Sequence, residues 1–239
     1  MNLKVLYRIS DGGNPKVKLQ NATKEHCLDN CLAVFETENT TVFADNCSPE
    51  TLQMLRNKGL KPIEIKLGNA LSWRFVAEFA MQQFADNQAV YLLEDDYLHQ
   101  PKSATALLEG LEIADYVTLY DHPDKYLDPQ NGGMNPYVEN GGEDTKVFLT
   151  PTCHWRRTNS TTMTFATTVQ TLKEDKEIWL EFTSQGFPYD FGAFQRLAGL
   201  GEWQNRVFGK KRILISSIPG LSTHGETAWL SPFTDWETI

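Results

Sequence analysis

Apolar positions in this chain fall in short blocks, and the blocks alternate between two periods. Leu3-Lys4-Val5-Leu6-Tyr7-Arg8-Ile9-Ser10 is dense in branched and aromatic residues and predicts a strand, closed by the loop signal Asp11-Gly12-Gly13-Asn14-Pro15. From Ala22 to Phe35 the apolar positions shift to helical spacing through Cys27, Leu28, Cys31, Leu32 and Phe35. Thr40 to Ala44 predicts a second strand ending at Asp45. Ser48 as N-cap with Pro49 after it opens a helix that Lys58-Gly59 should stop. Pro62 to Lys66 reads as a short third strand. Gly68-Asn69 then opens a longer helix with an apolar stripe through Trp73, Val76, Phe79, Ala80 and Phe84.

Ala89-Val90-Tyr91-Leu92-Leu93 is a continuous apolar run, as expected of a strand buried on both faces. A helix near Ala104–Glu112 and a strand at Tyr116–Tyr120 follow. Strand and helix thus alternate in units of about 20–30 residues, which predicts an α/β fold: a Rossmann-type, mostly parallel central sheet with helices on both faces. Its ligand crevice should lie beyond the carboxyl ends of the strands. The second half differs. Residues 121–145 are rich in Gly, Pro, Asn and Asp and form a long loop. Strands at Lys146–Leu149 and Thr161–Ala166 should flank Cys153 to Arg157. Helices follow near Val169–Gln185 and Asp190–Leu200, then a strand at Arg212–Ser216 and the segment Thr223-His224-Gly225-Glu226. No repeat or linker divides the chain, so residues 1–239 should form one domain with halves at about 1–120 and 121–239.

Charge and composition narrow the chemistry. A formal net charge of −9 argues against nucleic acid as the main partner, because phosphate backbones need clustered Lys and Arg. No stretch approaches the roughly 18–20 apolar residues of a membrane span, and the N-terminus enters a strand directly, so cytoplasmic residence is the expectation. The four cysteines, Cys27, Cys31, Cys47 and Cys153, lack paired ligand spacing and disfavour zinc. The glycines form neither a dinucleotide nor a P-loop fingerprint.

The apolar run 89–93 ends in three consecutive carboxylates, Glu94-Asp95-Asp96. Adjacent acids repel, so a fold that gathers them usually supplies a cation. Oxygen ligands suit Mg²⁺ or Mn²⁺, which keep coordination sites for phosphate. An acidic turn capping the next helix is the plainer alternative. Ser10/Asp11, Asp45 and Glu94–Asp96 all fall at predicted strand ends, which points to one polar rim.

The succession Phe43-Ala44-Asp45-Asn46-Cys47-Ser48, Gly68-Asn69-Ala70 and Leu92-Leu93-Glu94-Asp95-Asp96 resembles the nucleotide-binding half of GT-A glycosyltransferases, particularly the family 2 type, over roughly residues 3–120. The motif here is Glu-Asp-Asp in place of the family's Asp-x-Asp. The resemblance implies a GT-A-like fold with a smaller mixed sheet on the acceptor side. It also implies inverting transfer from a nucleoside diphosphate sugar, a UDP-sugar above all, to a glycan or other hydroxyl acceptor. Asp96 would ligate Mn²⁺ or Mg²⁺, with His224 completing the shell; a surface-loop histidine is the alternative for His224. Glu94 and Asp95 would bond the ribose or sugar, and Asp45 the nucleobase. Asn69, Arg8 and Arg74 would reach the nucleotide, Arg8 pairing with phosphate, with Asp45 or in a surface salt bridge.

Asp190, at a predicted helix N-terminus, would be the general base, kept ionised by the helix dipole, with Glu181 and Asp144 in reserve and a plain N-cap as the alternative. Trp155, Arg156 and Tyr189 would meet the acceptor, and the loop 121–144 would close over the donor. Two other readings stay open. One is a sugar-phosphate nucleotidyltransferase, disfavoured because Asp11-Gly12-Gly13-Asn14 lacks the Arg and Lys expected after its first strand. The other is a non-catalytic nucleotide-sugar or glycan-binding module.

Overall fold

The computed structural model describes residues 2–13 and 16–239; Asn14 and Pro15 of the first predicted loop lie outside the described residues. The first half follows the predicted alternation: β1 (Leu3–Ser10), α1 (Lys24–Phe35), β2 (Thr40–Asp45), α2 (Pro49–Asn57), β3 (Ile63–Ile65), α3 (Asn69–Gln83) and β4 (Ala89–Glu94). Local chemistry starts and stops these helices. Thr23 Oγ1 accepts from the His26 N–H at 3.2 Å to cap α1, and Ser48 Oγ accepts from the Thr51 N–H at 3.2 Å to cap α2. Gly59, at φ 76°, takes the left-handed conformation that ends α2.

The chain continues through β5 (Tyr97–His99), α4 (Ser103–Leu111), β6 (Tyr116–Thr118), β7 (Val147–Leu149), β8 (His154–Arg157) and β9 (Phe165–Thr168). It ends with α5 (Val169–Glu174), α6 (Lys176–Phe182), α7 (Asp190–Ala198), α8 (Trp203–Phe208), β10 (Leu214–Ser217) and β11 (Ser222–His224). Nine strands form one sheet in the order β3-β2-β1-β4-β9-β6-β10-β8-β7. Its pairings leave only β8 and β9 reversed against the others, so the sheet is mostly parallel. A second, small sheet pairs β5 with β11 antiparallel.

Strand alternation divides the core. Val5, Tyr7, Ile9, Tyr91 and Leu93 pack on one face with α1, α2 and α4 through Leu28, Phe35, Leu55 and Leu107. Leu6, Phe43, Val90 and Leu92 face the other side, against α3 and α5 to α7 through Trp73, Val76, Leu172, Trp179 and Phe194. Burial on both faces is what the unbroken apolar runs of β1 and β4 require.

The second half departs from its prediction in specific places. His154–Arg157 is itself a strand, with Trp155 fully buried. The strand expected at Thr161–Ala166 begins only at Phe165, because Thr161, Thr162 and Thr164 spend their hydroxyls on Thr118, Tyr97 and Glu94. The helix expected at Val169–Gln185 breaks at Asp175. That carboxylate is fully buried and accepts from Tyr116 Oη and from Arg212 Nε, each at 2.8 Å. The loop 121–145 is tied down: Lys125 Nζ donates to Ser160 Oγ at 2.6 Å, Arg156 pairs with Asp121 at 2.6 Å, and Glu143 Oε1 accepts from the Asn159 N–H at 2.7 Å. Among the described residues no helix is long and apolar enough to cross a membrane.

Candidate functional site

The carboxyl ends of β1, β2 and β4 open into one cleft of about 610 Å³, within the range of small-molecule sites. Ser10, Asp11, Asp45 and Glu94–Asp96 line it together, as the strand-end argument expects. They are joined by Asn69 at the start of α3, by Phe187, Pro188 and Asp190 at the start of α7, and by His224.

Arg8 holds the floor. The parallel register sets it beside Glu94, and its Nη2 donates to Glu94 Oε1 at 2.7 Å. Its Nη1 donates to the Asn69 carbonyl, Asn69 Oδ1 and Ser72 Oγ at 2.8, 2.8 and 3.0 Å. Of the partners considered for Arg8, the structure shows a salt bridge, made with Glu94 rather than Asp45 and largely buried, which spares the guanidinium the cost of standing alone. Asp45 is buried, and its carboxylate accepts from the Leu67 and Gly68 N–H groups at 2.7 and 3.0 Å, fixing the turn into α3. Asp95 accepts from the Ser10 N–H at 3.0 Å. Burial, then the neighbouring charge of Asp96, pushes its pKa up.

Asp96 sits between two donors. Lys18 Nζ lies 2.8 Å and His224 Nε2 3.0 Å from its Oδ2. Burial alone would raise its pKa, but the His224 hydrogen bond and the Lys18 charge outweigh it and hold the carboxyl below the usual range. The β5–β11 register places His224 opposite Tyr97, directly after Asp96. Two more lysines reach the rim: Lys24 pairs with Asp11, and Lys16 Nζ lies 2.8 Å from Glu226. Asp11 also accepts from the Ser48 N–H at 2.7 Å; burial opposes, but these bonds lower its pKa to about 2.

Lys16, Lys18 and Lys24 all line the cleft, and the sequence reading missed them. The available signal was three lysines, Lys16, Lys18 and Lys24, soon after the Gly-Gly turn at a strand end. They lie beyond Asp11-Gly12-Gly13-Asn14, which itself carries no Arg or Lys.

The implied metal meets a poor set of donors. Among the described residues no three His, Cys, Asp or Glu side chains form a metal-binding group. His224 Nδ1 accepts from the Glu226 N–H at 3.3 Å, which assigns the proton to Nε2, where a donor faces Asp96 rather than a lone pair facing a metal. The remaining position on Asp96 Oδ2 holds the Lys18 ammonium. Facing two N–H donors, Asp96 Oδ2 suits a fixed ammonium better than a hard divalent ion.

Asp190 is the first residue of α7, one position inside the N-cap Tyr189, and its Oδ1 accepts from the Phe191 N–H at 2.7 Å. Its pKa is pushed up to about 6, chiefly by burial and further by Glu94, against that N–H and the charge of Lys125. Desolvation thus outweighs the expected dipole effect.

Other candidates fall elsewhere. Arg74 turns away to donate to Thr183 Oγ1 at 2.7 Å and to the Leu180 carbonyl, fastening α3 to α6. Trp155 is a core residue whose Nε1 donates to Thr150 Oγ1 at 2.9 Å. Arg156 is buried, paired with Asp121 and stacked on Tyr126 with its guanidinium carbon 4.7 Å from the ring centroid. The resemblance places Trp155 and Arg156 at the acceptor, but β8 runs inside the sheet between β10 and β7. Tyr189 is exposed beside the cleft, its ring against Phe182. Among the described residues, none from the loop 121–144 lines the cleft. Of the reserve bases, Glu181 pairs with Arg196, and Asp144 lies exposed on that loop.

No protein-family model matches the chain, and no curated protein matches it. Among solved structures, it is similar to a cytidylyltransferase from Leptospira borgpetersenii serovar Hardjo-bovis, at 13% identity and TM-score 0.42 over 74% of this chain. The chain spans 65% of that protein's length. It is similar to CMP:2-keto-3-deoxy-manno-octonic acid synthetase complexed with CTP, at 11% identity and TM-score 0.47, covering 92% of each chain. It is also similar to the galactosyltransferase LgtC in complex with donor and acceptor sugar analogs, at 11% identity and TM-score 0.41, covering 90% of this chain and 86% of that one. At these identities and TM-scores the activities named for those proteins do not carry over to this chain.

Proposed function

We propose that the protein transfers a sugar from a nucleoside diphosphate sugar, a UDP-sugar above all, to a hydroxyl of a glycan or similar acceptor, with inversion. The observation that carries this reading is the convergence of the strand-end acids, Arg8, three lysines and Asp190 on one nucleotide-sized cleft. Such a crevice at strand carboxyl ends is where an open α/β sheet takes its ligand. The family 2 GT-A resemblance of the first half supplies the direction of transfer.

The acceptor oxygen attacks the anomeric carbon on the face away from the diphosphate. The bond to the diphosphate oxygen breaks with its electron pair, and Asp190 takes the hydroxyl proton. A single displacement inverts the configuration. A base with a pKa of about 6 is mostly ionised at neutral pH yet basic enough to share the proton in the transition state. Arg8 and Asn69 lock α3 to β1, so the cleft wall is set before a donor arrives.

The direct test is transfer from a panel of UDP-sugars to saccharide acceptors by wild type and Asp190→Asn. Lost transfer with intact UDP affinity supports the assignment. Tight UDP binding with no transfer by wild type to any acceptor would favour a binding module. A second reading, nucleotidyl transfer to a sugar phosphate, is favoured by Lys16, Lys18 and Lys24 just after β1. Pyrophosphate release from CTP or UTP with sugar phosphates would select it.

A further inference from the structure

We infer that Lys18, in place of a bound divalent ion, is the cation that meets the donor's diphosphate in this cleft. The inference rests on the transfer reading for its ligand, and on the geometry around Asp96 for its substance.

Lys18 reaches Asp96 from a segment that the main chain holds in place. Residues 17–19 run antiparallel to 225–227: the Leu19 N–H donates to the Gly225 carbonyl at 2.9 Å, and the Thr227 N–H to the Val17 carbonyl at 3.0 Å. The Gly225 N–H in turn donates to the Asp96 carbonyl at 2.7 Å. Three distant parts of the sequence are thereby knitted together at the backbone, with Lys18, Asp96 and His224 meeting at one carboxylate oxygen. The close approach demands glycine at 225, since a Cβ there would lie 2.7 Å from the Ala22 Cβ and 3.2 Å from the Asp96 carbonyl oxygen.

Charge and hydrogen bonding agree with the assignment. Lys18 keeps a third of its side chain exposed to the cleft while Asp96 keeps 14%, so an entering phosphate finds the ammonium before the carboxylate. A divalent ion seated on Asp96 Oδ2 would have to displace this ammonium and reverse the His224 tautomer, giving up the Glu226 N–H bond. An ammonium already satisfied by Asp96 needs no recruitment from solution. Lys16 and Lys24 extend the same positive edge along the cleft rim. A phosphate group bound there adds a second anion beside Asp96, and the three N–H donors of the ammonium can serve both.

Two titrations decide the matter. The first follows Mn²⁺ alone by electron paramagnetic resonance in wild type, Asp96→Asn, Lys18→Met and Lys18→Arg. Mn²⁺ affinity that is weak in wild type and unchanged by Asp96→Asn supports the inference, as does a new Mn²⁺ site in Lys18→Met. Wild-type Mn²⁺ binding that Asp96→Asn removes would overturn it. The second follows UDP by calorimetry in EDTA and in Mn²⁺. The expected result is wild-type affinity equal within twofold in both, a loss of at least tenfold in Lys18→Met, and near-retention in Lys18→Arg. UDP binding that vanishes in EDTA and is indifferent to Lys18→Met would overturn the inference. If no nucleotide binds wild type, the donor reading fails, while the Mn²⁺ titration, which needs no nucleotide, still decides whether Lys18 or a metal occupies Asp96.

Discussion

Two clusters of opposite charges in this protein have nearly the same composition and opposite surroundings. One joins Asp121, Lys125, Arg156 and Glu143 beneath the loop 121–145, where Asp121, Lys125 and Arg156 are 1%, 2% and 4% exposed. The other joins Arg8, Lys18, Lys24, Asp11, Glu94 and Asp96 around the cleft, where one side of each pair faces open space. In the sealed cluster Arg156 pairs with Asp121 at 2.6 Å, and the atoms left without a hydrogen bond, Arg156 Nε and Glu143 Oε2, are buried 3.9 Å from each other, so the network holds the loop to the sheet and faces no cavity. In the open cluster each cation has an acid behind it and a cavity in front, which leaves room for a further anion. What separates a structural ion cluster from a binding one is thus the free side of the pair, not the residues in it.

Substitutions should split the two clusters, and the largest effect belongs to the cleft. Asp190→Asn should lower transfer by about 10²–10⁴-fold while UDP affinity stays within a fewfold, measured by steady-state rates and calorimetry. Removing one partner of the sealed pair, as in Arg156→Ala, leaves Asp121 buried without its counter-charge. It should cost about 3–5 kcal/mol of stability in denaturant unfolding, and the protein that remains folded should bind UDP as before. A loss of UDP binding in folded Arg156→Ala would erase the distinction between the clusters.

Smaller effects sharpen the contrast. Asp190 has a folded pKa near 6, above that of an unfolded Asp, so its ionisation opposes folding. The native state is favoured relative to the unfolded chain at low pH, and that advantage is lost as the pH rises from about 4 through about 6. Asp190→Asn should therefore raise the melting temperature at pH 7, by an amount equivalent to about 3 kcal/mol, and leave it nearly unchanged at pH 4. The rate should fall in step as the pH drops below 6, where the base becomes protonated. Smallest of all, Arg74→Ala should cost about 1 kcal/mol through its bonds to Thr183 and Leu180, with no change in nucleotide affinity.

The elements of the nucleotide half were legible because each rests on neighbours in sequence. The apolar runs of β1 and β4 announce strands covered on both faces, and Ser48-Pro49 announces the start of α2 through a bond three residues away. The cleft's acids were legible for a related reason: a carboxylate that closes an apolar strand must sit at the sheet's edge. The resemblance and the packing of sugars on aromatic rings place Trp155 and Arg156 at the acceptor, and neither states whether a side chain is buried. Their burial depends on β8 entering the sheet beside β10, some sixty residues later in the chain. Arg74 misled similarly, since helical spacing from Asn69 states its distance along α3 and not the face on which α6 receives it.

By itself the sequence determined the alternation of strands and helices, the ends at which acids collect, and the N-terminal position of Asp190 on its helix. These follow from periodicity, turn chemistry and capping, all of which act within a few residues. Only the tertiary structure decided the partners of the charges. It set Glu94 rather than Asp45 against Arg8, sealed Arg156 under a loop, and brought Lys18 and His224 to one oxygen of Asp96. A charge acts through space and takes its meaning from whatever the fold places within a few ångströms, and that neighbour is more than seventy residues away for Arg8, Lys18 and His224 alike.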